Sequence, residues 1–204
     1  MDQSISTLLI AGVLLSVFHA LIPSHWLPIV AIGQKESWPS SKILGVTFLA
    51  GLAHVLSTLL LGLGLAALGM QMSSGFDWFT HLAAPTVLIV LGVFYIYRHY
   101  YHHHFHLTKP VSERGILISL TLAMFLSPCL EIEGYFLAAA SYGWGVILTL
   151  ALAYSIISIL GMVLWVRLAI RGLKRLDWHA WEHNAGLITG LVLIFSGLIL
   201  FVIE

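Results

Sequence analysis

Side chains able to hold a transition-metal ion sit inside otherwise apolar sequence, gathered about two prolines. Around Pro23 the order is Phe18-His19-Ala20-Leu21-Ile22-Pro23-Ser24-His25-Trp26, with one imidazole on each side of the proline. Around Pro128 it is Ser127-Pro128-Cys129-Leu130-Glu131-Ile132-Glu133, a thiol followed by two carboxylates. His54 adds a third imidazole from the middle of another apolar segment, with Ser57 and Thr58 on its helical face. Ionisable groups are costly in hydrocarbon and rarely persist there without a function. Imidazole, carboxylate and thiolate together suit Zn, Co, Ni, Mn or Fe(II). Such ligands bind only when deprotonated, so protons compete with metal for them.

The spacing demands broken helices. His19 and His25 are six residues apart, which on a straight helix separates them by about 9 Å along the axis and points them in different directions. A break at Pro23 can bring the rings together. Cys129, Glu131 and Glu133 alternate; alternate residues share a face in extended chain but not in a helix. Pro128 and Gly134 therefore predict an unwound stretch that aligns all three. Proline also frees backbone carbonyls, and interrupted helices in corresponding halves of a chain mark transporter sites. Plainer roles stand beside these: helix-packing or interfacial histidines, an interhelical hydrogen bond for His54, and a small apolar Cys129.

The elements carrying these residues are membrane spans. Of 204 residues 59% are hydrophobic and 9% charged, against about 25% charged in a soluble domain; the mean hydropathy is +0.97. Apolar segments run over about 6–32, 43–70, 82–97, 116–140, 146–168 and 185–203. Most are of the length a bilayer requires; the third is short when read strictly, with Tyr95, Tyr97, Tyr100 and Tyr101 as its interfacial belt. All nine Lys and Arg fall in or beside three connections: Lys35 and Lys42; Arg98, Lys109 and Arg114; Arg167, Arg171, Lys174 and Arg175. The positive-inside rule puts those loops in the cytoplasm and both termini outside; the expected location is the cytoplasmic membrane of a bacterium or archaeon. Met1-Asp2-Gln3-Ser4 lacks a basic n-region, so the first segment is expected to stay in the mature protein. One cysteine excludes an internal disulfide. The expected partners are metal ions, protons and lipid, not nucleic acid; an oligomer is compatible with the sequence.

The two halves resemble each other. Leu52-Ala53-His54-Val55-Leu56-Ser57-Thr58 aligns with Leu152-Ala153-Tyr154-Ser155-Ile156-Ile157-Ser158, and at nearly the same offset Pro23 aligns with Pro128. Three spans per half invert the second half relative to the first, with binding near the midplane. The expected fold is an all-α integral membrane protein of six transmembrane helices. These form two inverted three-helix repeats, residues 1–100 and 114–204, with helices 1 and 4 broken at Pro23 and Pro128. Residues 101–113 are a His-rich cytoplasmic linker. His99, His102, His103, His104 and His106, with the i, i+4 pair His179 and His183, could collect metal there or could be a solvated interfacial loop.

At His19-Ala20-Leu21-Ile22-Pro23-Ser24-His25 the chain resembles the nickel/cobalt exporters of the NicO type, which belong with the LysE, CcdA and sulfite-exporter membrane families. The resemblance extends to His54 near Ser57 and Thr58, to Pro128-Cys129, and to the His-rich loop. It implies a six-span transporter, not an enzyme, that exports a divalent transition metal as its substrate. It also implies metal ligands among His19, His25, His54, Cys129, Glu131 and Glu133, supported by Ser24, Ser57, Thr58, Pro23 and Pro128. Those exporters usually carry an acidic residue before the first proline and a glycine after it, where this chain has Ile22 and Ser24; here the acidic charge lies in the second half. The identity of the metal therefore stays open. A membrane electron relay would need two exchanging thiols, and the position matching Cys129 is Ser24. A membrane di-iron hydroxylase would use His99-Tyr100-Tyr101-His102-His103 and the His179/His183 pair but leave the glutamates unexplained. A metal-binding accessory protein would use the same ligands without net transport.

Overall fold

A computed structural model describes residues 3–71, 82, 84–101, 112–172, 187, 190–195, 197–199 and 201. Those residues form helices and their connections, with no strand among them. In chain order the helices are α1 (Gln3–Ala20), α2 (Pro23–Lys35), α3 (Ser40–Gln71), α4 (Ala84–Tyr101), α5 (Glu113–Phe125), α6 (Leu130–Ala139), α7 (Trp144–Gly172) and α8 (Gly190–Ile199). A single 3₁₀ turn, Ala140–Tyr142, joins α6 to α7. Its chain reversal passes through Gly143 at φ +86°, a left-handed conformation that glycine adopts without steric cost.

Three stretches are long and apolar enough to cross a membrane: Ser4–Lys35, which is α1 and α2 together, Ser40–Gln71 and Trp144–Gly172. The pair α5 and α6 makes a fourth if its 41° bend is counted within one span. α4 and α8 fall on the third and sixth apolar segments of the sequence. The long helices bury polar residues and expose leucines. Along α7 the residues at every fourth position from Leu148 to Leu168 are about half exposed or more, while Tyr154 and Ser158 are buried. On α3 Leu52, Leu56 and Leu60 face outward, and Thr47, His54 and Thr58 are fully buried. A four-residue interval keeps one stripe of a helix outward. An apolar stripe of this length belongs against lipid, and the described residues thus have the build of an integral membrane protein.

Both prolines act where the sequence places them. α1 ends as Leu21 N–H and Ile22 N–H donate to the carbonyls of Phe18 and His19 (3.1 and 3.0 Å). Ile22, which precedes proline, is extended (φ −64°, ψ 116°), and Pro23 opens α2; the first turn of a helix tolerates its missing N–H. Pro28 inside α2 leaves the carbonyl of Ser24 without its helical donor. In the second half, α5 stops at Phe125 and Cys129 is extended (φ −81°, ψ 100°). The expectation that unwinding would run through Glu133 is corrected here: α6 begins at Leu130, so Glu131 and Glu133 lie in its first turn. A proline break needs few extended residues, and the apolar residues beyond Cys129 resume helix to close their own hydrogen bonds, which lipid cannot supply.

α1 and α3 both run along α7, α3 also packs on α5 and α6, and α1 touches α6. Trp26, Val30, Met162 and Val166 form one core beside α2, and Ile132, Phe136, Leu150 and Tyr154 belong to another beside α6. α4 and α8 cross at two glycines in reciprocal fashion. A Cβ on Gly92 would lie 2.6 Å from the Gly190 carbonyl oxygen and 2.6 Å from Ile194, and a Cβ on Gly190 would lie 2.6 Å from the Gly92 carbonyl oxygen and 2.6 Å from Ile96. Only glycine permits that approach of two backbones.

Candidate metal centre

The two breaks and the middle of α3 meet. His19 comes from the last turn of α1, His25 from the first turn of α2, His54 from α3, and Cys129 and Glu131 from the start of α6. The break at Leu21–Ile22 brings the rings of His19 and His25 to 4.4 Å between centroids, so the distance that a straight helix would impose disappears. His54 lies 4.8 Å from His25 by the same measure, and its ring is nearly parallel to that of His19. The Nε2 atoms of His19 and His54 are 3.1 Å apart, one donating to the other. On its other edge, His19 Nδ1 is 3.2 Å from Cys129 Sγ and 3.8 Å from Glu131 Oε2. The thiol donates to Glu131 Oε2 at 2.7 Å.

Within His19, His25 and His54, and again within His19, Cys129 and Glu131, one ligand atom per residue lies within 4.8 Å of the others. Metal–nitrogen distances of about 2.0–2.1 Å and metal–sulfur distances of about 2.3 Å put neighbouring tetrahedral ligands roughly 3.3–3.8 Å apart. The observed separations need only small side-chain shifts to meet that. Each of the five residues is buried except His25, which is partly so. Burial of this many donors without a ligand is an expensive arrangement.

Thr58 ties the centre together. Its hydroxyl donates to the His54 carbonyl (3.1 Å) and accepts from the Cys129 N–H (3.0 Å). α3 of the first half thereby holds the extended residue that carries the thiol. Ser57 acts locally, donating to the same carbonyl at 2.8 Å. Ser24 and Pro128, the two residues beside the breaks, line a cavity of about 350 Å³ together with Pro28, Ala123, His25, Cys129 and Glu131. Pro23 shapes the break without lining it.

Glu133 stands apart. It belongs to neither group of converging ligands, since two residues along a helix turn it about 200° from Glu131. Its carboxylate lies against α3, where a Cβ on Gly62 would fall 2.8 Å from Oε2. Both oxygens are buried and have no hydrogen-bond partner among the described residues.

Tyr154, which carries no expected role, also belongs to the centre. Its hydroxyl is 3.4 Å from His54 Nε2 and 3.4 Å from Thr58 Oγ1. The available signal was the alignment of its segment, residues 152–158, with that of His54, residues 52–58. The histidine tract gives less: His99 lies in α4 with its side chain outside the described residues, and His102, His103, His104, His106, His179 and His183 lie outside them altogether.

No protein-family model, curated protein or solved structure matches the chain.

Proposed function

We propose that the protein is a transporter of divalent transition-metal ions, with six spans arranged as two inverted three-helix repeats and the ion bound near the midplane by ligands drawn from His19, His25, His54, Cys129 and Glu131. The carrying observation is the convergence of three imidazoles, a thiol and a carboxylate, from four helices and two proline breaks, in a buried centre. Protons compete for every one of these ligands, which makes proton-for-metal exchange the natural coupling. Export agrees with the resemblance to nickel/cobalt exporters.

Three further features support this reading. The reciprocal contact of Gly92 and Gly190 is what a two-fold relation between the third helices of two repeats produces. His54 meets Tyr154, its partner in the aligned segments, across α3 and α7. The half-helices also differ in a directed way. The basic residues assign α2 and α5 to the cytoplasmic side, and α1 and α6 to the other. α1 and α6 touch, whereas the cavity that reaches His25, Cys129 and Glu131 lies between α2 and α5. A centre reachable from one side, with the corresponding helices closed on the other, is one state of an alternating-access cycle.

Purified protein in sealed liposomes tests the reading. Flux of Co, Ni, Zn or Mn with opposing proton movement is expected, and its loss in Glu131→Gln and His19→Gln. Protein that binds metal at this centre and moves none of these ions would instead be an accessory metal-binding protein. Metal retained in both variants and lost on removal of His99, His102 and His103 would relocate the chemistry to the cytoplasmic tract and favour the hydroxylase.

A further inference from the structure

His19 sits between two sets of ligands, and it addresses them with different atoms. Nε2 faces His54 Nε2 at 3.1 Å, and the ring of His25 lies close to both, 4.4 Å from that of His19 and 4.8 Å from that of His54 between centroids. Nδ1 faces Cys129 Sγ at 3.2 Å and Glu131 Oε2 at 3.8 Å. The lone pairs of the two imidazole nitrogens diverge from opposite edges of the ring, so a single ion cannot be bound by both. The two converging groups share His19 and nothing else. They are therefore not five ligands of one ion.

The geometry points to two cation positions separated by the ring of His19, occupied in turn by one divalent transition-metal ion. The outer position takes His19 Nδ1, Cys129 and Glu131. The inner position takes His19 Nε2, His25 and His54, with the Tyr154 hydroxyl within reach of His54. Outer and inner are set by the cavity, whose wall includes Cys129 and Glu131 but neither His19 nor His54. The outer donors carry two negative charges when deprotonated and the inner donors carry none. A divalent ion arriving from the cavity is first neutralised and then passed to a set of neutral ligands, which hold it less firmly and let it leave. Transport needs binding that is strong enough to capture and weak enough to release, and splitting the centre supplies both. His25, which also lines the cavity, stands at the boundary between the positions.

This inference rests on the reading of the buried centre as a metal site, and one experiment separates the two. Cobalt(II) is titrated into the detergent-purified full chain under reducing conditions, with bound metal counted by dialysis and the thiolate-to-cobalt charge-transfer band followed alongside the ligand-field bands. Wild type is compared with Cys129→Ser, His54→Gln and His19→Gln. Cys129→Ser is expected to lose the charge-transfer band and still bind about one cobalt per chain through nitrogen ligands. His54→Gln is expected to keep the charge-transfer band with its intensity little changed. In both, affinity should stay within about 100-fold of wild type, whereas His19→Gln should fall further than either. Far-ultraviolet circular dichroism verifies that each variant is folded, and Cys129→Ala and His54→Asn replace any that are not. The inference is overturned if His54→Gln abolishes the charge-transfer band as Cys129→Ser does, or if X-ray absorption of the cobalt-loaded wild type finds sulfur and three imidazoles around the same ion. Wild type that binds no cobalt would overturn the metal reading itself.

Discussion

Thr58→Val should loosen the centre without touching a metal ligand. Valine keeps the shape of threonine and removes the hydroxyl. The His54 carbonyl loses one donor but keeps Ser57 Oγ at 2.8 Å. The Cys129 N–H, which donates to Thr58 Oγ1 at 3.0 Å in a buried setting, is left without a partner. An orphaned buried donor costs about 1–3 kcal/mol. For a chain of this length each kcal/mol lowers Tm by about 2–4 °C, so the melting temperature should fall by roughly 2–12 °C. Tryptophan fluorescence of detergent-solubilised protein reads the transition. Because Cys129 carries the thiol, cobalt affinity should fall in parallel by about 10–100-fold, the usual effect of losing a group that orients a ligand. Thr58→Ser restores the hydroxyl and should recover most of both losses. A Thr58→Val protein that melts and binds cobalt like wild type would refute the claim that this hydroxyl holds the break, as would a Thr58→Ser protein as impaired as Thr58→Val.

Other substitutions probe different parts of the molecule. Glu131→Gln removes a charge from the candidate metal centre, and metal affinity measured by equilibrium dialysis should fall by about 10–100-fold; Glu133→Gln removes a carboxylate that has no hydrogen-bond partner among the described residues, and should leave affinity within about tenfold while holding or raising Tm. Gly92→Ala sets a methyl group 2.6 Å from the Gly190 carbonyl oxygen, where only backbone can yield, so Tm should drop by an amount matching about 1–3 kcal/mol of overpacking or more; Gly64→Ala on α3, which meets nothing within 4 Å, serves as the control. Ala123→Trp fills the cavity between α2 and α5, and liposome flux should stop while the helical circular dichroism stays unchanged.

The sequence carried the centre's chemistry better than its geometry. Pro23 and Pro128 announced the breaks, because proline removes a helical hydrogen bond that lipid cannot replace, although Pro28 sits inside α2 without ending it. The approach of His19 to His25 followed from the break. The fate of the carboxylates did not. Whether helix resumes at Leu130 or after Glu133 depends on how soon the backbone regains its own hydrogen bonds, and alternation of residue types reads the same either way. The split of ligands between the two nitrogens of His19 was beyond reach for a different reason: it depends on the relative rotation of α1, α3 and α6, which no pattern within one helix encodes. Tyr154 was hidden by its ordinary appearance, an aromatic residue in an apolar span whose only distinction was its place opposite His54. Ser57 and Thr58 looked equivalent, and a difference of one position on α3 made one a local bond and the other a bridge between halves.

The chain has one cysteine, and it is a buried residue of the cavity wall between the two breaks. The protein thus carries its own reporter. A small thiol-reactive compound added to one side of a sealed vesicle meets a single target, and the rate at which it is consumed measures how often the centre is exposed to that side. Protection by cobalt, zinc or manganese then ranks the ions with no radioisotope. No engineered cysteine and no cysteine-free background is needed, because the reporting atom and the candidate ligand are the same sulfur.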